Sequence, residues 1–209
     1  MENYIENNNV QIGGEIISEV EFSHEVFEEK FYRFSIKTRR LSNYEDELPI
    51  IISERILNLD EIKVGRLARI EGQFRSYNMP NDGKNKLVLS IFTKEIEFTD
   101  DQDILTLNDA NFVGYICKTP IYRKTPLGRE IADVLVAVNR TYKKSDYIPC
   151  ILWGRNAKFS ENMEIGTPVK LNGRIQSRTY EKKLDNGELL RKIAYEVSIA
   201  KFAKIENEE

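Results

Sequence analysis

Slid against itself by 100 positions, the 209-residue chain matches itself without a gap over much of its length. Gly14, Ile16, Arg40, Asp46, Pro49, Ile51 and Arg55 fall on Gly114, Ile116, Arg140, Asp146, Pro149, Ile151 and Arg155. Apolar positions keep the same offset: Phe22 meets Tyr122, Phe34 meets Val134 and Ile36 meets Val136. One residue later in register, Gly65, Gly72 and Ser76 meet Gly166, Gly173 and Ser177. Chance seldom holds one offset through so many glycine, proline and arginine positions, so the chain has to fold as a tandem duplication. The acidic stretch Thr99-Asp-Asp-Gln-Asp103 reads as the linker, giving halves 1–104 and 105–209.

Each half is expected to be mostly β. Val134, Val136 and Val138 alternate with other residues, the period of a strand with one face on a core. Val169, Leu171 and Ile175 do so around Gly173, whose missing side chain permits a bend or bulge. Asp82-Gly83 and Asn186-Gly187 are hairpin-turn signals before each last strand. Arg155 to Ile165 is too polar for a core strand and predicts a short helix, as does Arg55 to Ile62 in the first half. The class is all-β: two tandem OB-folds, small Greek-key barrels of five strands with a short helix between strands three and four.

Charge separates the halves. Residues 1–105 hold 13 Lys+Arg against 21 Asp+Glu, a net of −8, while residues 110–205 hold 18 against 9, a net of +9. Only the second half is suited to a polyanion. There, cations interleave with tyrosines in Tyr122-Arg123-Lys124, Arg140-Thr-Tyr142-Lys143-Lys144 and Arg178-Thr-Tyr180-Glu-Lys182-Lys183. A sequence-tolerant single-strand binder needs both kinds, cations for phosphates and flat rings for bases. Aromatic residues in barrels more often fill the core, and lysine pairs often mark solvated hairpin tips, so strand parity matters. With Ile148, Cys150 and Leu152 inward, Tyr147, Ile151 and Trp153 face outward. In the first half the same positions read Glu47 for Tyr147, Ser53 for Trp153 and Ser42 for Tyr142, which predicts weak or absent binding there. Tyr44, Tyr77, Arg39, Arg40 and Arg75 remain as a small residual surface.

Asn111-Phe-Val-Gly-Tyr-Ile, Lys118-Thr-Pro, Thr125-Pro-Leu-Gly, Ala137-Val-Asn-Arg, Ser145-Asp-Tyr-Ile-Pro-Cys-Ile-Leu-Trp-Gly-Arg-Asn-Ala and Gly173-Arg-Ile-Gln-Ser-Arg-Thr-Tyr follow one another in order. Together they resemble the bacterial single-stranded-DNA-binding (SSB) family across most of residues 108–206. The resemblance implies that Tyr142, Tyr147, Trp153 and Tyr180 stack on bases. Arg140, Arg155, Arg174 and Arg178 are the cations expected beside the strand, with Arg123, Lys124, Lys143, Lys144 and Lys182 completing the basic surface. The same contacts serve RNA as well as DNA. By resemblance the working assembly has four barrels, which a homodimer of this chain would supply. Many family members end in an acidic, phenylalanine-tipped extension. This sequence runs to Glu206-Asn-Glu-Glu209 just past its last strand, so replication or repair partners are not expected through such a tip, and the acidic first half is the surface left for them.

No enzyme is expected: there is no phosphate-cradling glycine loop and no nucleophile elbow, and the acidic clusters Glu28-Glu29 and Glu45-Asp46-Glu47 read as solvated loops. One histidine and two cysteines, Cys117 and Cys150, give no metal cage and no disulfide framework, and no cofactor is called for. Neither a membrane span nor a secretory signal in Met1 to Gly14 is evident, which favours a cytoplasmic protein. The competing reading is a non-binding OB adaptor in a replication-restart or DNA-processing complex.

Overall fold

Alternating burial lays down the strands. In β7 (Asn108–Ile116) Ala110, Phe112 and Ile116 point inward between exposed or half-buried neighbours, and β9 (Glu130–Asn139) buries Val134, Val136 and Val138 in the same way. The computed structural model describes residues 7–81, 84–141, 144–183 and 187–206. Among them the remaining strands are β1 (Asn8–Ile16), β2 (Glu21–Val26), β3 (Glu29–Arg39), β4 (Glu45–Ser53), β5 (Leu67–Asn81), β6 (Lys84–Thr99), β8 (Ile121–Lys124), β10 (Ser145–Trp153), β11 (Pro168–Lys183) and β12 (Leu189–Lys204). Helix α1 spans Arg155–Ser160.

The strands join in one twelve-stranded sheet, ordered β2-β3-β4-β6-β5-β1-β7-β11-β12-β10-β9-β8. Two further pairings curl it into two barrels: Ile16 opposite Ile36 closes β1 on β3, and Ile116 opposite Val136 closes β7 on β9. Each barrel has the five strands that the sequence predicts. The segment between its first two strands also forms a short strand, β2 or β8, lying outside the barrel as a sheet edge. The helix expected at Arg155 is present. Its counterpart in the first half is only a 3-10 turn at Leu59–Glu61, where Asn58 Oδ1 accepts from Asp60 N at 3.2 Å. Asn and Asp compete for backbone groups and favour such turns over helix interiors. Ile62 plugs the first barrel, and Ala157 with Met163 plugs the second.

The bulge expected at Gly173 is there, with the β11–β12 register shifting between Asn172 and Gly173. A Cβ on Gly173 would lie 2.3 Å from Ser198 O. Gly173→Ala is therefore expected to cost about 1–3 kcal/mol, the range for overpacking; a urea midpoint indistinguishable from the parent would show that the bulge relaxes freely. Gly187 has φ 89°, as a hairpin tip requires, whereas Asp82-Gly83 and Asn186 lie outside the described residues. Cys150 is buried; Cys117 is half-buried and donates through Sγ to Leu135 O at 3.2 Å.

The barrels meet strand to strand. β1 and β7 pair antiparallel with Val10 opposite Ala110, its own equivalent, so a pseudo-two-fold axis passes between them. Across this axis each barrel holds the other's long hairpin. Arg40 grips Asp46 with two bonds of 2.6 Å and donates to Ser177 O at 3.2 Å, while Ser177 N donates to Asp46 Oδ1 at 2.7 Å. In the mirror arrangement Arg140 grips Asp146 and donates to Ser76 O at 2.9 Å, and Ser76 N donates to Asp146 Oδ1 at 2.5 Å. The acidic stretch after Thr99 is ordered too. Asp101 caps a 3-10 turn at Gln102–Thr106, and Gly13 N and Thr38 Oγ1 donate to Leu107 O and Leu105 O.

Candidate nucleic-acid interface

Register places the candidate side chains on the outer face of the second barrel. Residues paired across strands share a face, so Ile151 of β10, Ser198 of β12 and Arg174 of β11 form one outward row. Gln176 opposite Glu196, Arg178 opposite Ala194 and Tyr180 opposite Lys192 continue that face along the hairpin. Asp133 opposite Ile151 and Trp153 opposite Ile131 extend it the other way, towards β8.

Trp153 keeps 41% of its surface exposed, with indole Nε1 donating to Ser198 Oγ at 3.0 Å. One edge of the ring is thus pinned while the residue stays exposed, which suits a base platform. Tyr180, 39% exposed, has the Arg178 guanidinium 5.7 Å from its ring centroid. Buried Glu196 organises the row between them, accepting from Gln176 Nε2 at 2.8 Å and lying 3.7 Å from Arg178 Nε. Arg174 donates Nη2 to Gln176 Oε1 at 3.3 Å, but its buried Nε has no hydrogen-bond partner. Burial and the neighbouring Arg40 pull the Arg174 guanidinium below the ordinary arginine value, which still leaves it a cation at neutral pH. A shallow groove of about 370 Å³ runs beside it, lined by Asn108, Asp109, Asn172, Gly173, Ser198 and Ala200. A half-buried arginine beside a pinned, exposed indole puts a cation for a phosphate next to a ring for a base.

The other sequence candidates divide. Tyr147 is exposed on the same side of β10, where its N–H donates to Ser76 Oγ of the first barrel at 2.7 Å. Arg155 is exposed at the start of α1, and Lys144 is exposed where its carbonyl accepts from Arg140 N at 2.7 Å. Arg123 and Lys124 sit on the edge strand β8, facing Asp133 at 2.9 Å and Glu130 at 4.0 Å. Arg140, expected beside the strand, has its guanidinium committed to Asp146 and Ser76, and so serves the junction between barrels. Ile151 lies on the outer side as expected but is buried in the row between Asp133 and Ser198. Tyr142 and Lys143, and the side chain of Lys182, lie outside the described residues.

The equivalent face of the first barrel is differently furnished. Ser53, in place of Trp153, is buried and donates to Glu29 Oε1. Phe92 stands where the second barrel has Ser198, with the Arg75 guanidinium 4.0 Å over its ring and Phe31 5.3 Å away. Arg75 also bonds Gln73 Oε1 at 2.7 Å, and Arg40 is held by Asp46 with Tyr44 beneath it at 4.6 Å. Of the residual surface, Tyr44 and Tyr77 are the open rings. Sequence reasoning passed over Phe92, Ser198, Gln176 and Glu196. The hairpins differ in length, so Phe92 and Ser198 do not share the constant offset; the alternation 174, 176, 178, 180 was the available signal for Gln176. His24 stacks on Phe31 at 4.9 Å, and among the described residues no group of three or more His, Cys, Asp or Glu could hold a metal.

Residues 107–204 match the family described as the single-strand binding protein family. Single-stranded DNA-binding protein B of Bacillus subtilis is 37% identical over 86 residues, 36% of this chain and 74% of that protein. Single-stranded DNA-binding protein 2 of Listeria innocua is 35% identical over 82 residues, 36% of this chain and 52% of that protein. The chain spans about half the length of most of the curated relatives it matches. The wild-type single-stranded DNA binding protein of Thermus aquaticus has the same fold across both barrels, with TM-score 0.77 and 14% identity over 97% of this chain and 94% of that one.

Proposed function

The chain belongs to the single-strand binding protein family, and from that premise we propose that it coats single-stranded DNA without sequence preference and without turnover. The observation that carries this reading is the outer face of the second barrel: an exposed indole pinned by Ser198, an exposed Tyr180, and the half-buried Arg174 and exposed Arg178 along one row of strands. Residues 105–209 act as the binding barrel, using Trp153, Tyr180, Tyr147, Arg174 and Arg178, with Arg155, Lys144, Arg123 and Lys124 supplying charge around them. Residues 1–104 are a divergent acidic barrel whose arginines are spent on carboxylates, an amide and rings, so its role is packing and partner contacts. The protein works in the cytoplasm during replication, recombination or repair, as a homodimer with four barrels. Among the described residues no helix is long and apolar enough to cross a membrane.

The test uses the single tryptophan. Oligo-dT titrated into the protein is expected to quench Trp153 fluorescence strongly at low salt and less as salt rises, because phosphate contacts release counterions. Duplex DNA should leave the signal unchanged. Binding without quenching would remove Trp153 from the site. No quenching and no retention of the oligonucleotide on a filter would leave the adaptor reading.

A further inference from the structure

The twelve-stranded sheet has two end strands, β2 and β8, which are equivalents of one another in the duplication. An end strand exposes a row of backbone donors and acceptors, and natural proteins usually blunt such edges. These two carry opposite charge and open apolar side chains. The β2–β3 hairpin presents Phe22, Val26 and Phe27 beside the exposed Glu25 and Glu28, with Glu21 and Glu29 held by Arg33 and Arg55, and Phe27 is 96% exposed at its tip. The β8–β9 hairpin presents Ile121 and Leu127 beside the exposed Arg129, with Arg123 and Lys124 facing Asp133 and Glu130 of β9, and Leu127 is 85% exposed at the equivalent tip. Glu29 and Arg129 occupy the same place in the two copies of the fold.

The tips also differ in backbone. The second turns through Gly128 at φ 76°, where a positive φ is unstrained. The first turns through Phe27 at φ 49° and Glu28 at φ 62°, two consecutive side-chain-bearing residues in the left-handed region. Glycine or asparagine would relieve that strain, so a bulky ring held open at such a tip points to a contact made there.

We propose that the acidic edge strand and turn of the β2–β3 hairpin of one copy, residues 21–29, dock on the basic edge strand and turn of the β8–β9 hairpin of the next, residues 121–129. The occupant is a second copy of this chain, because charge and apolar tips complement each other within one sequence. Each copy owns one hairpin of each kind, so the contact is heterologous and adds copies head to tail in an open series. Edge pairing and the Phe27 and Leu127 tips supply attraction, and the charges fix which end meets which. On a nucleic-acid strand, a consequence resting on the function proposed above, neighbours would fill cooperatively.

The contact is tested on the full chain without nucleic acid, by sedimentation velocity at low salt and rising protein concentration. The parent should sediment faster with concentration, past the dimer and without a plateau. Glu28→Lys and Arg129→Glu each place like charges at the junction and should weaken the step about three- to tenfold. An equimolar mixture of the two variants should regain parental behaviour. The two substituted positions then face each other with their charges exchanged but still opposite, and the native Glu28 and Arg129 meet at the alternate junctions. A parent that does not associate beyond the dimer, variants that associate as the parent does, or a mixture no better than its components would each overturn the proposal. A parent that associates in this way but ignores oligo-dT would defeat the proposed function and leave the contact standing.

Discussion

Asp146→Ala is expected to lower the stability of the chain by about 3–5 kcal/mol, the cost of removing one partner from a buried ion pair. Asp146 is 1% exposed, receives two bonds from Arg140 and accepts the backbone N–H of Ser76 from the other barrel. Its removal strands a largely buried guanidinium and a buried N–H together, and both sit at the junction between the barrels. The equivalent Asp46→Ala should cost a similar amount, because Arg40 and the N–H of Ser177 are stranded in the same way. Replacing both members, Arg140→Met with Asp146→Leu, should cost less than Asp146→Ala alone, since no uncompensated charge remains. The readout is the urea midpoint at unchanged slope. A loss under about 1 kcal/mol for Asp146→Ala would mean that water reaches the junction and that the pair behaves as a surface salt bridge.

That junction shows where sequence reading reaches its limit. The duplication was legible because strand parity, turn glycines and the Arg–Asp pair all repeat at one spacing. The same repetition hid what Arg140 does. Its partner in the other barrel, Ser76, lies 64 positions upstream, and nothing in one-dimensional order brings the two together. Arg140 therefore read as a free cation beside two lysines and a tyrosine. The candidate face was more open to inspection, because period-two alternation puts Tyr147 and Trp153 on one side of β10 and Arg174, Arg178 and Tyr180 on one side of β11. Which strand lies beside which is a long-range fact. Ser198, the residue that pins the indole, and Phe92, which fills the equivalent place, emerge only from the parallel β10–β12 and β4–β6 pairings. The edge strands β2 and β8 were missed because their segments are short and mostly exposed, which leaves no apolar alternation to read.

Trp153→Ala is expected to weaken oligo-dT binding by about 1–3 kcal/mol, the range for one stacked base, which is roughly 5- to 150-fold in Kd. Tyr180→Ala should fall in the same range. The two rings stand on different strands of one face, so the double variant should approach the sum of the single losses. Arg178→Ala should act differently: by deleting a phosphate contact, it should reduce the salt slope by about 0.7 as well as the affinity. Ser198→Ala leaves the indole in place but unpinned, and is expected to cost less than Trp153→Ala because only the ordering of the ring is lost. The first barrel supplies the control. Tyr77 is its open ring on the equivalent face, opposite Val88 and two residues beyond Arg75. If the strand runs over the second barrel, Tyr77→Ala should leave the affinity within about twofold, close to the scatter of a neutral surface substitution. A loss at Tyr77 as large as that at Trp153 would mean that both barrels carry the strand, with Phe92 and Arg75 doing in one what Trp153 and Arg174 do in the other.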